Sequence, residues 1–350
     1  MKVDATIAFG GAMEQFIDEC KSADRLFDGI AVGEANREPF LPLMMAAEHT
    51  RRVRLETSVA IAFARSPMIL AQIAYDLHQY SGGRFSLGLG TQIRPHIERR
   101  FSMPWSAPAA RMREMVLAIR AIWASWHDGA DLDFRGEFYT HTLMIPFFSP
   151  GRNPYGLPPI ALAAVGPRMT EVAGEVSDAV LLHPLMSEQY LRSITIPALE
   201  RGLSNAGRER SDVDVCASVF IVTGKNEDER RAAAQYVKQR IAFYGSTPAY
   251  RAVFDLHGWG SAHEQLHRLS KQGAWPAMSE LVSDKMLETF AIIAEPEAVA
   301  AALLARFGDV YDRVSFYAPN LEFALLAAPV LQALSRPAGT QPSSGLAVAD

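Results

Sequence analysis

The sequence predicts an α/β fold, a (β/α)8 TIM barrel with insertions before strand 5 and before strand 8. Three observations lead there. Short apolar, β-rich runs recur along the chain, and each is followed by an amphipathic stretch. The runs lack polar alternation, as expected of parallel strands covered on both faces. Eight strand-helix units fall within about 335 residues, which suits a closed barrel better than an open doubly wound sheet.

In order, the strands are expected over residues 3–8, 27–32, 53–60, 85–89, 159–165, 179–182, 213–222 and 313–317. Helices are expected over 13–23, 40–50, 67–80, 109–126, 168–176, 187–201, 227–244 and 296–307. The third has the clearest boundaries. Ser66-Pro67 reads as an N-cap followed by proline in the first turn, and Ser81-Gly82-Gly83 ends the helix before the next strand. Two segments break the rhythm, at about 127–157 and 245–295, and both are expected as insertions on the active-site rim. One barrel domain over 1–335 is the expectation, with 336–350, rich in Pro, Gly, Ser and Ala, as a disordered tail.

Composition narrows the function. Of the 350 residues, 34 are Lys or Arg and 39 Asp or Glu, a net charge of −5 that gives no field for nucleic acid or an anionic membrane. An anionic ligand must meet a local patch, and 28 of the 34 cations are Arg, suited to bidentate phosphate or carboxylate contacts. Cys20 and Cys216 lack any CxxC or zinc spacing and read as small buried apolar residues. Asp4 stands where a signal peptide would carry its apolar core, and no run approaches the ~18 apolar residues of a membrane span. A cytoplasmic protein is expected, and large apolar rim helices favour a homodimer.

The most informative motif runs from Arg65-Ser66-Pro67 through Ser81-Gly82-Gly83-Arg84-Phe85-Ser86-Leu87-Gly88-Leu89-Gly90-Thr91. Gly88 and Gly90 allow close backbone approach at the C-terminal mouth of the fourth strand; without a third glycine they do not make a dinucleotide fingerprint. With Ala71, this stretch resembles the signature of the luciferase-like flavin and deazaflavin oxidoreductases. Phe27–Glu34 resembles that family's second strand, and Gly174–Val180 its junction into strand six. Within the family the chain looks most like the branch using coenzyme F420, on Phe40–Leu43, Arg94–Arg100 and Phe243–Arg251. The resemblance covers residues 1 to 320 and implies the same barrel.

It further implies a cofactor ring bound at the C-terminal ends of the strands, backed by a bulge with a non-proline cis peptide. Thr57-Ser58-Val59-Ala60 occupies that place, so Ser58, Val59 and Ala60 are candidate ring contacts, with Gly90 and Thr91 beside them. Val165-Gly166-Pro167-Arg168 ends strand five and opens a helix, where free backbone N–H groups can meet a cofactor phosphate. Arg65, Arg94, Arg99 and Arg100 follow strands three and four and are candidates for a charged tail. Glu34, after strand two, is a candidate both for cofactor contact and for proton transfer. His96, after strand four, and His183, after strand six, are the other acid-base candidates, each where barrel enzymes place chemistry. Aromatics expected to shape a pocket are Phe101, Trp105, Tyr139, Phe147, Phe148 and Trp259.

The resulting expectation is an F420-dependent oxidoreductase passing a hydride between the deazaflavin and a small alcohol, enone or imine. The alternative is an FMN-dependent monooxygenase using oxygen. Glu34-Ala35 replaces the Asp-His pair of the sugar-phosphate branch, which argues against a sugar-phosphate substrate. His263-Glu264-Gln265-Leu266-His267 matches a zinc-peptidase motif and gives a remote third reading, but no third ligand follows it, so no metal is expected.

Overall fold

The computed structural model describes residues 1–317. Eight parallel strands close into a barrel: β1 (Lys2–Thr6), β2 (Gly29–Val32), β3 (Arg54–Thr57), β4 (Phe85–Gly90), β5 (Ile160–Ala164), β6 (Ala179–Leu182), β7 (Asp214–Val222) and β8 (Arg313–Tyr317). Closure is made by β8 pairing with β1, Lys2 opposite Arg313 and Asp4 opposite Ser315. Outside them lie α1 (Met13–Leu26), α2 (Phe40–His49), α3 (Pro67–Tyr80), α4 (Pro108–Asp128), α5 (Pro167–Val176), α6 (Ile196–Asn205), α7 (Glu227–Gly245) and α8 (Val299–Phe307). The expected barrel is present strand for strand. α3 starts as its cap requires, with Ser66 Oγ accepting from the Ile69 N–H and Pro67 in the first turn.

Alternation along each strand decides what fills the barrel. Asp4, Arg54, Glu56, Ser86 and Arg313 come from five strand positions that bond to one another, so all face inward. Arg313 pairs with Asp4, and Arg54 with Glu56 and, at 3.0 Å, with Ser86 Oγ. Burial pushes the Glu56 carboxyl up, against the pull of the Arg54 guanidinium. This ionic layer occupies the lower interior, and space for it comes from small neighbours: a Cβ on Gly29 would collide with the Asp4 carboxylate. Above it come Ala161, Ala179, Leu181 and Cys216, an apolar cluster inside the barrel.

Three expectations need correction. The segment 127–157 reaches the rim side only with its hairpin, where Tyr139 Oη accepts from Arg111 in the first turn of α4. It follows a helix rather than a strand, so the rest is delivered to the N-terminal end of the barrel, where Asn153 and Gly151 bond Tyr75 and the Tyr155 carbonyl meets His78. Phe147 and Phe148, on that segment, are 85% and 59% exposed and shape no pocket at the mouth. The helix expected over 187–201 is broken by a wide π-type turn at Leu191–Thr195, just before Pro197, which has no N–H to donate back into the preceding turn. A further strand, Ala291–Ile293, was not expected; it pairs in parallel with the upper half of β7. The expected tail 336–350 lies outside the described residues. Among the described residues no helix is long and apolar enough to cross a membrane.

Candidate functional site

The C-terminal mouth is built from two halves. Over β2 to β5 the mouth is lined by small residues and a backbone bulge. After β3 the backbone bulges outward, with the Ser58–Val59 peptide cis, and rejoins the sheet at Ala60–Ile61 beside β4. Val59 lies against Gly90: a Cβ there would stand 2.5 Å from Val59 Cγ2 and 3.7 Å from Ala163 Cβ. A Cβ on Gly33 would meet the Ser58 carbonyl oxygen at 3.0 Å. Gly33, Gly90 and Ala163 thus pack closely around the bulge at Val59, where a larger side chain on either glycine would meet it.

Glu34 clamps this bulge. Its N–H donates to the Val59 carbonyl at 3.1 Å, and its carboxylate accepts from the Ile61 N–H at 2.8 Å. Arg65 closes the arrangement with two guanidinium bonds to Glu34, at 2.7 and 3.1 Å, and one to the Ile61 carbonyl at 3.1 Å. The Glu34 side chain is 5% exposed and that of Arg65 16%. Both carboxylate oxygens are therefore occupied, which suits Glu34 to holding Val59 in place rather than to carrying a proton.

Next to this surface, Gly166 begins α5 with no side-chain cap and Pro167 in the first turn. Nothing lies within 4 Å of a Cβ on Gly166, so the helix start opens on free space. Val165 and Gly166 are partly buried; Pro167 and Arg168 are exposed. Thr91 Oγ1 donates to the Gln92 carbonyl at 2.9 Å, in a turn where Gln92 takes φ +60°. The Arg-rich segment after β4 is a short helix, Arg94–Arg99. Arg94 pairs with Glu98, Arg100 donates to the Ala35 carbonyl, and His96 and Arg99 are exposed.

The other half is aromatic. His183 follows β6, its ring 4.3 Å from Tyr244 and 4.7 Å from Tyr250 between centroids. Tyr244 Oη and Tyr317 Oη are 2.7 Å apart. Tyr317 faces inward by alternation from Arg313 and Ser315, and packs on Phe220. Tyr236, Arg240 and Tyr244 share one face of α7 at i, i+4 and i+8, with Arg240 over the Tyr236 ring. Leu185 N–H donates to His183 Nδ1 at 3.1 Å, so that nitrogen carries a lone pair and the proton of the neutral ring sits on Nε2. Burial drives the imidazole pKa down to about 3. The ring is a neutral donor at ordinary pH and has no lone pair free for a base. Sequence reasoning missed Tyr244, Tyr250 and Tyr317 as a group. The spacing of Tyr236, Arg240 and Tyr244 on one helix was the available signal.

Two other features do not compete. A cavity of about 380 Å³ opens at the N-terminal end, lined by Lys2, Asp28, Arg52, Arg54, Arg84 and Arg313. Its guanidiniums hold the barrel floor: Arg84 bonds the carbonyls of Ala47, Thr50 and Val53, and Arg52 those of Asp24 and Phe27. The zinc-peptidase motif lacks a ligand set among the described residues and has a packing role instead. His263 Nδ1 bonds the Gly245 carbonyl at 2.7 Å and His267 Nδ1 the Ser246 carbonyl at 2.8 Å, closing the end of α7. Among the described residues no cluster of three or more His, Cys, Asp or Glu can hold a metal.

Comparison with known proteins agrees with the fold. The family model of luciferase-like monooxygenases matches residues 4–313. An uncharacterised protein of Mycobacterium tuberculosis is 54% identical over 288 residues, 82% of this chain and 85% of that one. A protein named as a putative coenzyme F420-dependent oxidoreductase of the same organism is 27% identical over 293 residues, 79% of this chain and 82% of that one. The coenzyme F420-dependent tetrahydromethanopterin reductase of Methanopyrus kandleri superposes with a TM-score of 0.75 at 21% identity, covering 94% of this chain and 96% of that one, and so shares the fold.

Proposed function

The chain belongs to the luciferase-like monooxygenase family, whose members are F420- or flavin-dependent oxidoreductases and monooxygenases, and on that premise we propose that it is an F420-dependent oxidoreductase acting on a small organic substrate. The observation that carries the reading is the bulge at Val59: the small residues Gly33, Gly90 and Ala163 pack around it as a low shelf, and α5 starts at Gly166 with no side-chain cap. A tricyclic ring fits on the shelf and a phosphate on the N–H groups of Arg168 and Met169. Bound there, the deazaflavin would supply hydride chemistry to an alcohol, enone or imine.

The residues do the positioning. Val59, held by Glu34 and Arg65, backs one ring face and leaves the other toward the aromatic half of the mouth. Gly90 and Thr91 border the ring; Ser58 and Ala60 fix the two ends of the bulge. Val165, Gly166, Pro167 and Arg168 receive the phosphate, with Arg99 free to meet an extended acidic tail. Among the three acid-base candidates, His183 is favoured because it lies among the rings facing the shelf, and its part is that of a donor. Exposed Leu41, Met44 and Ile69 on α2 and α3 support a homodimer, and the buried free thiols of Cys20 and Cys216 suit a reducing cytoplasm.

FMN presents a similar ring and phosphate, so an oxygen-using monooxygenase is the second reading, favoured by the breadth of the matched family. Parallel titration of the protein with F420 and FMN separates them. F420 binding at least tenfold tighter supports the proposal, and FMN preference replaces it with the monooxygenase.

A further inference from the structure

The aromatic half of the mouth has a chemical polarity that says which substrates it suits. His183 offers Nε2–H, since Nδ1 is taken by the Leu185 N–H. In the Tyr244–Tyr317 pair one hydroxyl donates to the other, and the accepting hydroxyl keeps its own proton for a third partner. Tyr250 Oη makes no hydrogen bond among the described residues and sits against the same imidazole. Every group in the cluster therefore has a proton to give. Acceptors with a negative charge are missing: the charge that acts on Tyr244 and Tyr317 is the Arg240 guanidinium, and no carboxylate pairs with His183 or with any of the three tyrosines among the described residues.

A neutral donor set with a cation behind it stabilises negative charge developing on oxygen. It disfavours an iminium, whose positive charge would face Arg240 and find no acceptor. We propose that His183 Nε2–H and the Tyr244–Tyr317 hydroxyl pair form an oxyanion cradle, so that the carbon reacting at this site bears oxygen: the substrate pair is a ketone or aldehyde and its alcohol. This rests on the oxidoreductase reading above and narrows it.

In the reducing direction a C–H bond forms at the carbonyl carbon as hydride arrives from a reduced carrier. The C=O π pair moves onto oxygen, and the free tyrosine hydroxyl gives its proton to that oxygen. The partner hydroxyl then passes its proton across the 2.7 Å contact and is reprotonated from solvent, so the carbonyl gains two electrons and two hydrogens and the protein is unchanged. The charge of Arg240 offsets part of the burial that disfavours a tyrosinate there. His183 keeps its proton throughout and contributes a hydrogen bond.

Two measurements test the cradle without turnover. Imidazole ¹⁵N spectra of the full chain, with His183 assigned by its loss in His183→Gln, should show a neutral Nε2–H ring from pH 5.5 to pH 8. A cationic or Nδ1–H ring there overturns the proposal. The second probe is 4-nitrophenolate, an oxyanion whose absorbance reports its ionisation. It should bind as the anion, with affinity at least fivefold weaker in Tyr317→Phe, Tyr244→Phe and His183→Gln, and unchanged in Tyr80→Phe on the far surface of α3. No binding, or binding indifferent to the three variants, overturns it. With cofactor bound, ketone-alcohol pairs should turn over and Tyr317→Phe should lower kcat at least tenfold with little change in KM; turnover confined to imines defeats the cradle and leaves the oxidoreductase reading intact. Failure of both F420 and FMN to bind defeats that reading, while the spectra and the phenolate still decide the cradle.

Discussion

Arg65→Met removes the guanidinium that closes the Glu34 clamp, and the structure sets the size of the effect. Glu34 would lose bonds of 2.7 and 3.1 Å and keep only the Ile61 N–H, while its side chain stays 5% exposed. Breaking a buried pair from one side costs about 3–5 kcal/mol because a charge is left uncompensated. Arg65 is 16% exposed, so water can reach part of the gap, and the lower end, roughly 3 kcal/mol, is expected. For a chain of 350 residues that is on the order of 4 °C in Tm. Glu34→Gln with Arg65→Met together should recover at least ~1.5 kcal/mol over additivity, because no buried charge remains. Urea melts of the wild type, two singles and the double give the cycle, and cofactor titration of the same four proteins should show weaker binding in both singles. Loss of under ~0.5 kcal/mol in Arg65→Met, or strict additivity, would refute the clamp.

Other consequences follow from single contacts. Gly88→Ala puts a Cβ into the Thr57 backbone carbonyl, which cannot give way, and should unfold the barrel; Gly90→Ala meets only Val59 Cγ2 and should cost about 1–3 kcal/mol, with cofactor affinity falling further than stability. Circular dichroism and titration separate the two. The Asp24 carboxyl is pulled below its usual range: partial burial opposes this, but N–H groups of Val53, Arg52 and Arg51 and the Arg52 charge prevail. Its stabilising contribution is whole above about pH 4 and lost on acidification, and Asp24→Asn should remove that part of the acid dependence in urea melts. His183 resists protonation down to about 3, whereas the unfolded imidazole takes a proton near 6.5. Stability is thus whole above pH 6.5 and falls below it by at most ~1.4 kcal/mol per unit, and His183→Gln should flatten that slope. Chelation by EDTA should leave Tm unchanged, while His267→Ala, which loses one bond to the Ser246 carbonyl, should cost about 1 kcal/mol.

What the sequence disclosed depended on how local each signal was. All eight barrel strands were legible because parallel strands buried on both faces are short and continuously apolar, as in Ala179–Leu182. α3 was legible to the residue through Ser66, Pro67 and Gly82. The placement of 127–157 was not, since composition marks an insertion without saying at which end of a barrel it emerges; only its position after a helix does. Glu34 was recognised as a functional candidate but its role was hidden, because Arg65 lies 31 residues away and the bond between them belongs to the folded mouth. Tyr317 and Tyr244 are 73 residues apart and carry no motif, so their contact appears only when β8 and α7 are in place. In the other direction, His263 and His267 satisfied a metal motif, and their Nδ1 atoms proved to be engaged by the end of a neighbouring helix.

The central claim is that the shelf over Val59 holds a deazaflavin. Titration of the purified protein with F420 and with FMN, in one buffer and at one salt concentration, tests it directly through tryptophan quenching and cofactor absorbance. Micromolar F420 binding with FMN at least tenfold weaker, ~1.4 kcal/mol of discrimination, is the predicted result, and Gly90→Ala should weaken the binding of both. Tighter binding of FMN, or saturation by neither, would contradict the account.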